Sequence, residues 1–313
     1  MSAHLRVVAL AGGTGAAKLL RGLVRVVDPA DLTVIGNTGD DAEVWGLHVS
    51  PDLDTVTYAL GGALDLARGW GRTDETFHCL DAMAALGGET WFNLGDRDLA
   101  THLVRTRALR AGQPLSSITA ELARCHGVAA RILPMSDDPV RTRIETLDGW
   151  LDFQEYFVRE KAQPPVRAVA YVGAERARPA PGVLDAIRDA TMVLICPSNP
   201  VTSVGPILAV PGVVDALATT TAHVVGVSPI VAGAPVSGPA GALMRARGLD
   251  VSPSGVAAAY APWLSTLVID TRDHDAEPAL TARGVRTVVA ETIMTDRASE
   301  VALARAVLAA AAS

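Results

Sequence analysis

The chain has 313 residues, is 49% hydrophobic with a mean hydropathy of +0.27, and carries a net charge of −7, which suits one large domain or a domain with an insertion. That negative balance argues against a nucleic-acid groove, and no apolar run reaches the roughly 18 residues that cross a bilayer. Cys79, Cys125 and Cys196 are odd in number and widely spaced, which excludes a disulfide frame or a cysteine zinc site and fits reduced thiols in a cytoplasmic protein.

The first predicted element is a short apolar strand over residues 7–11, which leads straight into Gly12-Gly13-Thr14-Gly15 with no signal-peptide layout before it. A helix is predicted over 16–27, where Leu19, Leu20, Leu23, Val24 and Val27 make one apolar stripe. Strand, glycine turn, helix is an anion-binding order. Glycines let backbone N–H groups come close to a ligand, and the helix start adds its positive dipole end. Lys18 lies one turn into the helix, within reach of a phosphate, and is one of only two lysines among the 27 Lys and Arg residues. The loop matches neither the Walker pattern nor the dinucleotide fingerprint, which disfavours a nicotinamide dehydrogenase. A purely structural turn is the plainer alternative.

Further buried strands are predicted at 32–36, 166–172, 192–196, 224–227, 267–270 and 287–290, with helices at 183–189, 213–219, 240–247 and 297–312. Near-continuous apolar strands alternating with helices predict an α/β fold, a doubly wound, mostly parallel Rossmann-like sheet. Residues 57–165 break this rhythm. Helices are expected at 76–86, 99–111 and 117–126, then short antiparallel strands at 131–133, 140–145 and 150–157. The expected organisation is a nucleotide-binding core from 1–56 and 166–313, with 57–165 as an inserted, smaller α+β subdomain.

Four polar segments carry candidate site residues, three in the core and one in the inserted segment. Asn37-Thr38-Gly39-Asp40-Asp41 ends the second strand, and Asp40 and Asp41 suit a hard cation such as Mg²⁺. The alternative is an Asx-rich turn. In Ser50-Pro51-Asp52-Leu53-Asp54-Thr55, Asp52 and Asp54 share a face if extended, while Asp54 could equally cap a helix. Crowding of four aspartates within this stretch calls for a cation or a cationic ligand. Leu94-Gly95-Asp96-Arg97-Asp98 reads as an ion-pair network or as an Arg97 offered to a ligand. Cys196-Pro197-Ser198-Asn199-Pro200 ends another strand, with Ser198 or Asn199 as a helix cap. With Ser228-Pro229 and Ser237-Gly238-Pro239, these strand ends would line one long crevice.

Taken together and in order, Gly-Gly-Thr-Gly-x-x-Lys-Leu-Leu (12–20), Asn-Thr-Gly-Asp-Asp (37–41), Ser-Pro-Asp-Leu-Asp-Thr (50–55), Leu-Gly-Asp-Arg-Asp (94–98), Pro-Met-Ser-Asp-Asp (134–138), Phe-Gln-Glu-Tyr-Phe-Val (153–158) and Pro-Ser-Asn-Pro (197–200) resemble the 2-phospho-L-lactate transferase family of coenzyme F420 biosynthesis. The Arg and Ala bias resembles its actinobacterial, phosphoenolpyruvate transferase branch. The resemblance implies an enolpyruvyl-diphosphoguanosine donor, or lactyl-diphosphoguanosine in the archaeal branch. It implies the deazaflavin Fo as acceptor, Mg²⁺, GMP as leaving product and a homodimer, with neither nucleic acid nor membrane as partner. Carried onto this chain, Gly12, Gly13, Thr14, Gly15, Lys18, Ser198 and Asn199 would hold the donor nucleotide. Asp40 and Asp41, with Asp54 as a further candidate, would hold the metal. Asp54 and Arg97 would contact Fo, and Asp54 would orient or deprotonate its hydroxyl. The rival reading is a nucleotide-sugar-binding regulatory protein of the same fold.

Overall fold

The alternation of apolar strands and helices carries through to the computed structural model, which describes residues 4–312. Its strands are β1 (Val7–Ala11), β2 (Leu32–Gly36), β3 (Ala42–Val44), β4 (Leu47–Val49), β5 (Arg131–Pro134), β6 (Arg141–Thr146), β7 (Gly149–Asp152), β8 (Ala168–Val172), β9 (Met192–Ile195), β10 (His223–Val227), β11 (Ile230–Val231), β12 (Ala234–Pro235), β13 (Thr266–Asp270) and β14 (Arg286–Ala290). Seven of them make one sheet in the order β14-β13-β10-β9-β1-β2-β5, and all its pairings are parallel. Every residue of β1, β9 and β13 is buried. Alternate residues serve opposite faces, as a period of two requires. Val8 and Leu10 enter one core layer, while Val7, Ala9 and Ala11 enter the other.

Strand order decides where a ligand can sit. The chain moves outward from β1 to β2 and β5, then returns to the far side of β1 and runs out through β9, β10, β13 and β14. The direction reverses between β1 and β9, which opens a crevice at their carboxyl ends. The glycine loop follows β1, and the Pro197–Asn199 turn follows β9.

Five helices matter most: α1 (Gly13–Leu23), α2 (Pro51–Leu60), α3 (His78–Ala85), α4 (Asp96–Arg110) and α5 (Leu115–Cys125). The first helix starts three residues earlier than the pattern suggests, with Gly12 as its cap. Thus the glycine run is itself the first turn. Leu19, Leu20 and Leu23 are buried as their spacing predicts. Gly22 presses on the backbone at Glu300, so a side chain there would collide with the C-terminal helix Arg297–Ala312. Buried Arg21 pairs with Glu300 across the same contact.

Two strands trade places relative to expectation. Residues 131–133, expected in an antiparallel insertion, form β5 at the edge of the parallel sheet, with Ile35 opposite Leu133. Residues 168–172, expected in that sheet, form β8, which pairs antiparallel with β6, as does β7. Such short apolar runs look alike in a sequence; only the partner available on folding tells them apart. The interval 57–165 therefore contains a strand of the main sheet, and the small three-stranded sheet takes one strand from beyond it. The expected strand at 150–157 ends at Asp152, and residues 155–159 coil into a helical turn. No single helix among the described residues is long and apolar enough to cross a membrane.

Candidate active site

The crevice at the β1/β9 reversal is a cleft of about 870 Å³, within the range of small-molecule sites. Gly12, Gly13, Thr14, Gly15, Lys18, Asp40, Asp52, Asp54, Ser198 and Asn199 all line it. Close approach explains the glycines. A Cβ at Gly12 would lie 2.6 Å from both the Asp52 carboxylate and Ser203, and one at Gly15 would strike the Pro197 carbonyl.

The loop is held by polar contacts from three elements. Asp52, in the first turn of α2, accepts the Gly13 N–H at 2.7 Å and the Asn37 side-chain N–H at 2.8 Å. Ser198 Oγ donates to the Gly12 carbonyl at 2.8 Å, and Lys18 Nζ donates to the Met294 carbonyl at 3.1 Å. Asn199 caps the helical turn Pro200–Val204 by accepting the Val201 N–H at 2.9 Å. The groups that shape the loop therefore also line the cleft. Burial pushes the Asp52 carboxyl up to about 6, against the hydrogen bonds from Asn37 and Gly13, with the Asp41 charge adding to the rise.

Asp40 sits deeper. Burial, then the charges of Asp52 and Asp41, push its carboxyl well above the usual carboxylate range, against a smaller lowering by the nearby polar groups of Asn37 and Thr142. Its Oδ1 is buried without a partner. Gln154 Nε2 donates to the Asp40 carbonyl at 3.2 Å, which ties this segment to the residues after β7. Asp41 is not among the cleft-lining residues. It turns toward the β3–β4 hairpin, where Oδ2 accepts from Ser50 Oγ at 2.9 Å and lies 2.9 Å from His48 Nε2, while Oδ1 is unpartnered. Buried oxygens without donors suit a hard divalent cation, which supplies the missing charge.

Asp54 forms a different kind of floor. In α2 it faces Arg105 of α4, whose Nη1 donates to Oδ2 at 3.0 Å and whose Nη2 donates to Oδ1. Although burial opposes it, the facing Asp54 carboxylate raises the Arg105 guanidinium above its ordinary value. His102 lies beside this pair, with Nδ1 at 3.3 Å from Arg105 Nη1 and Nε2 at 3.4 Å from Asp98 Oδ1. Tyr58 donates to Asp98 at 2.6 Å. Burial first, then the charges of Asp54 and Asp98, push the Tyr58 phenol well up. Asp54, Asp98 and His102 bring ligand atoms within 4.8 Å of one another, the one such trio among the described residues. Arg105 already donates to both Asp54 oxygens. Neither Arg105, Tyr58 nor His102 was singled out as functional from the sequence. The signal for His102 and Arg105 is their helical spacing with Asp98, which puts three polar groups on one face of α4; Tyr58 lies on α2 and carries no such signal.

Arg97 stands apart. Its side chain is 52% exposed, donates to the Thr73 carbonyl at 3.3 Å and is not among the cleft-lining residues. Asp96 and Asp98, its neighbours, do not pair with it. Asp96 accepts the N–H groups of His78 and Cys79 at the start of α3, and Asp98 joins Tyr58 and His102. Aromatic side chains wall the rest of the cleft: Tyr58, Trp70, Phe92, Phe153 and Phe157. The rings of Phe153 and Phe157 stack at 5.6 Å and 9°.

Known proteins resemble this chain throughout its length. The model of the family described as "2-phospho-L-lactate transferase CofD" matches residues 7–309. A protein of Streptomyces coelicolor named phosphoenolpyruvate transferase is 49% identical over 310 residues, covering 97% of each chain. A 2-phospho-L-lactate transferase of Methanosarcina mazei is 43% identical over 301 residues, covering 96% of this chain and 99% of its own. A crystal structure of a UPF0052 family member from Bacillus halodurans shares the fold, with a TM-score of 0.68 at 19% identity over 98% of this chain and all of that one. On the full-length family match and these identities, the chain belongs to the 2-phospho-L-lactate transferase CofD family, the transferases of phosphoenolpyruvate or 2-phospho-L-lactate in coenzyme F420 biosynthesis.

Proposed function

We propose that this chain moves a phosphoenolpyruvyl or phospholactyl group from a guanosine-diphosphate-activated donor to the ribityl hydroxyl of the deazaflavin Fo. GMP leaves, and coenzyme F420-0 or its dehydro form results. One observation carries the reading: a single cleft at the β1/β9 reversal joins a glycine loop, a buried acidic floor and aromatic walls. Gly12, Gly13, Thr14, Gly15, Lys18, Ser198 and Asn199 hold the donor nucleotide. The flat deazaflavin suits the aromatic side, next to Asp54.

The hydroxyl oxygen of Fo bonds to the distal phosphorus, the phosphorus–oxygen bond to GMP breaks with its electron pair leaving on the GMP phosphate, and the hydroxyl proton passes to solvent water. Positioning and charge neutralisation dominate such a transfer. Asp54 orients the attacking hydroxyl. Arg105 on both its oxygens holds the carboxylate in place and blunts it as a proton acceptor. Asp40, in the cleft, and Asp41 behind it are the residues that would hold Mg²⁺, which would neutralise diphosphate charge. This answers the electrostatic difficulty of Asp40, Asp52, Asp54 and Asp98 lining one cleft that takes an anionic donor. Arg97 sits outside the cleft lining and would reach Fo from the rim.

Incubation with Fo, Mg²⁺ and each donor separately tests the reading by product mass. The enolpyruvyl and lactyl products differ by two hydrogens, so one spectrum reports both reaction and donor. No product from either donor, alongside stabilisation by a UDP-sugar, would reverse the choice in favour of a regulatory nucleotide-sugar binder. Sedimentation or size exclusion tests the homodimer.

A further inference from the structure

The donor's three-carbon acid brings a carboxylate as well as a diphosphate. Lys18 and Arg68 are the only lysine or arginine side chains that line the cleft among the described residues. Lys18 stands on α1 beside the glycine loop and, on the proposed function, serves the diphosphate. Arg105 lies behind Asp54 with its guanidinium committed. That leaves Arg68.

Arg68 is unusually well held for a loop arginine. Asp65 accepts the backbone N–H groups of Ala67 and Arg68 at 2.9 and 3.0 Å and pairs with Arg68 Nη2 at 2.8 Å. Nη2 also donates to the Arg72 carbonyl at 2.9 Å. The guanidinium lies 5.3 Å from the ring centres of both Trp70 and Phe77. Gly69 comes against Thr14, where an added Cβ would lie 3.5 Å from its methyl group, so this turn abuts the glycine loop at the donor end. Nη1 carries no protein partner among the described residues. A planar guanidinium anchored through Nη2 and stacked on aromatic faces is preorganised to offer Nη1 to a carboxylate.

We propose that Arg68 receives the carboxylate of the donor's three-carbon acid and so sets the specificity for an acid-bearing donor. This rests on the proposed function and assigns a subsite within it. The test compares lactyl-diphosphoguanosine, ethyl-diphosphoguanosine (the same donor without its carboxylate) and GDP as ligands of the wild-type chain, Arg68→Gln and Arg68→Lys.

In the wild type the acid-bearing donor should bind roughly tenfold or more tightly than the ethyl analogue. Arg68→Gln should abolish that preference and leave GDP affinity unchanged, which also shows that the variant is folded. Arg68→Lys should keep part of it, because the charge stays while the planar stacking on Trp70 and Phe77 is lost. A wild-type preference retained in Arg68→Gln overturns the proposal. So does a fall in GDP affinity as large as the fall for the donor, which would make Arg68 a prop for the glycine loop. Wild-type chain that binds no guanosine ligand overturns the functional reading itself, and that outcome is distinct from both.

Discussion

Asp40 and Asp270 lie at the same carboxyl edge of one sheet, one past the end of β2 and the other closing β13, and both are buried. Their surroundings are opposite. Burial raises the Asp270 carboxyl, but hydrogen bonds from Arg272 and Thr292 outweigh this and hold it well below the usual range. Arg272 Nε donates at 2.6 Å, and the Thr292 N–H and hydroxyl donate at 3.1 and 2.8 Å. Asp40 keeps an unpartnered oxygen and two acidic neighbours, so its carboxyl is pushed up. A carboxylate whose lone pairs are filled by the chain is a structural tie. A buried one left short of donors points to a ligand that completes it.

This contrast can be broken most directly at Asp40. Asp40→Ala should lower turnover by on the order of 10³-fold if it helps neutralise the diphosphate. It should leave the melting temperature unchanged or higher, because a buried oxygen without a donor is gone. Mg²⁺ should raise the melting temperature of the wild type and not of the variant. A variant that unfolds like a core mutant and retains turnover per folded molecule would place Asp40 in the same class as Asp270.

Asp54→Asn comes next, with an expected loss of about 10²-fold in turnover from misplacement of the attacking hydroxyl. The amide can still orient a hydroxyl but loses half of the bidentate grip of Arg105. Near-normal turnover with intact folding would sink the role of Asp54.

Asp270→Ala should cost stability instead, about 2 kcal/mol at neutral pH from lost charge-assisted hydrogen bonds, with turnover little changed. The pH signs differ as well. A carboxyl depressed by folding stabilises above its unfolded pKa near ~3.9 and loses that contribution as pH falls toward the folded value. The stability gap between wild type and Asp270→Ala should therefore shrink in acid. For Asp40, raised by folding, wild-type stability relative to Asp40→Asn should fall as pH rises from about 4. Melting curves across pH 3–8 read both slopes.

The smallest effect is expected at Arg97. Arg97→Ala should raise the KM for Fo a fewfold, roughly as for an exposed charged contact, and leave donor KM and stability alone. A loss as large as that at Asp54 would mean that the rim closes over the acceptor.

Periodicity made much of the fold legible. Continuous apolar runs marked β1, β2, β9, β10, β13 and β14, and the C-terminal helix falls on residues 297–312 as its pattern predicts. The glycine loop and Lys18 stood out for the same local reason, and both line the cleft. Pair choices were not legible. In a four-residue strand such as β5, nothing local distinguishes a parallel edge from an antiparallel insert. Asp40 and Asp41 are neighbours with the same chemistry, yet one faces the cleft and the other His48. Asp52 and Asp54 likewise part company within one helical turn, one to the glycine loop and the other to Arg105.

By itself, then, the sequence determined the α/β class, the strand–loop–helix that opens the chain and the set of polar segments at strand ends, because those follow from local periodicity and backbone chemistry. Only the tertiary structure decided which carboxylates are saturated and which are left wanting, since that depends on donors far away in the chain. Arg105 reaches Asp54 across 51 positions, and Thr142 approaches Asp40 from the small antiparallel sheet. A side chain's charge belongs to its residue type, whereas its electrostatic role belongs to whatever folding packs beside it.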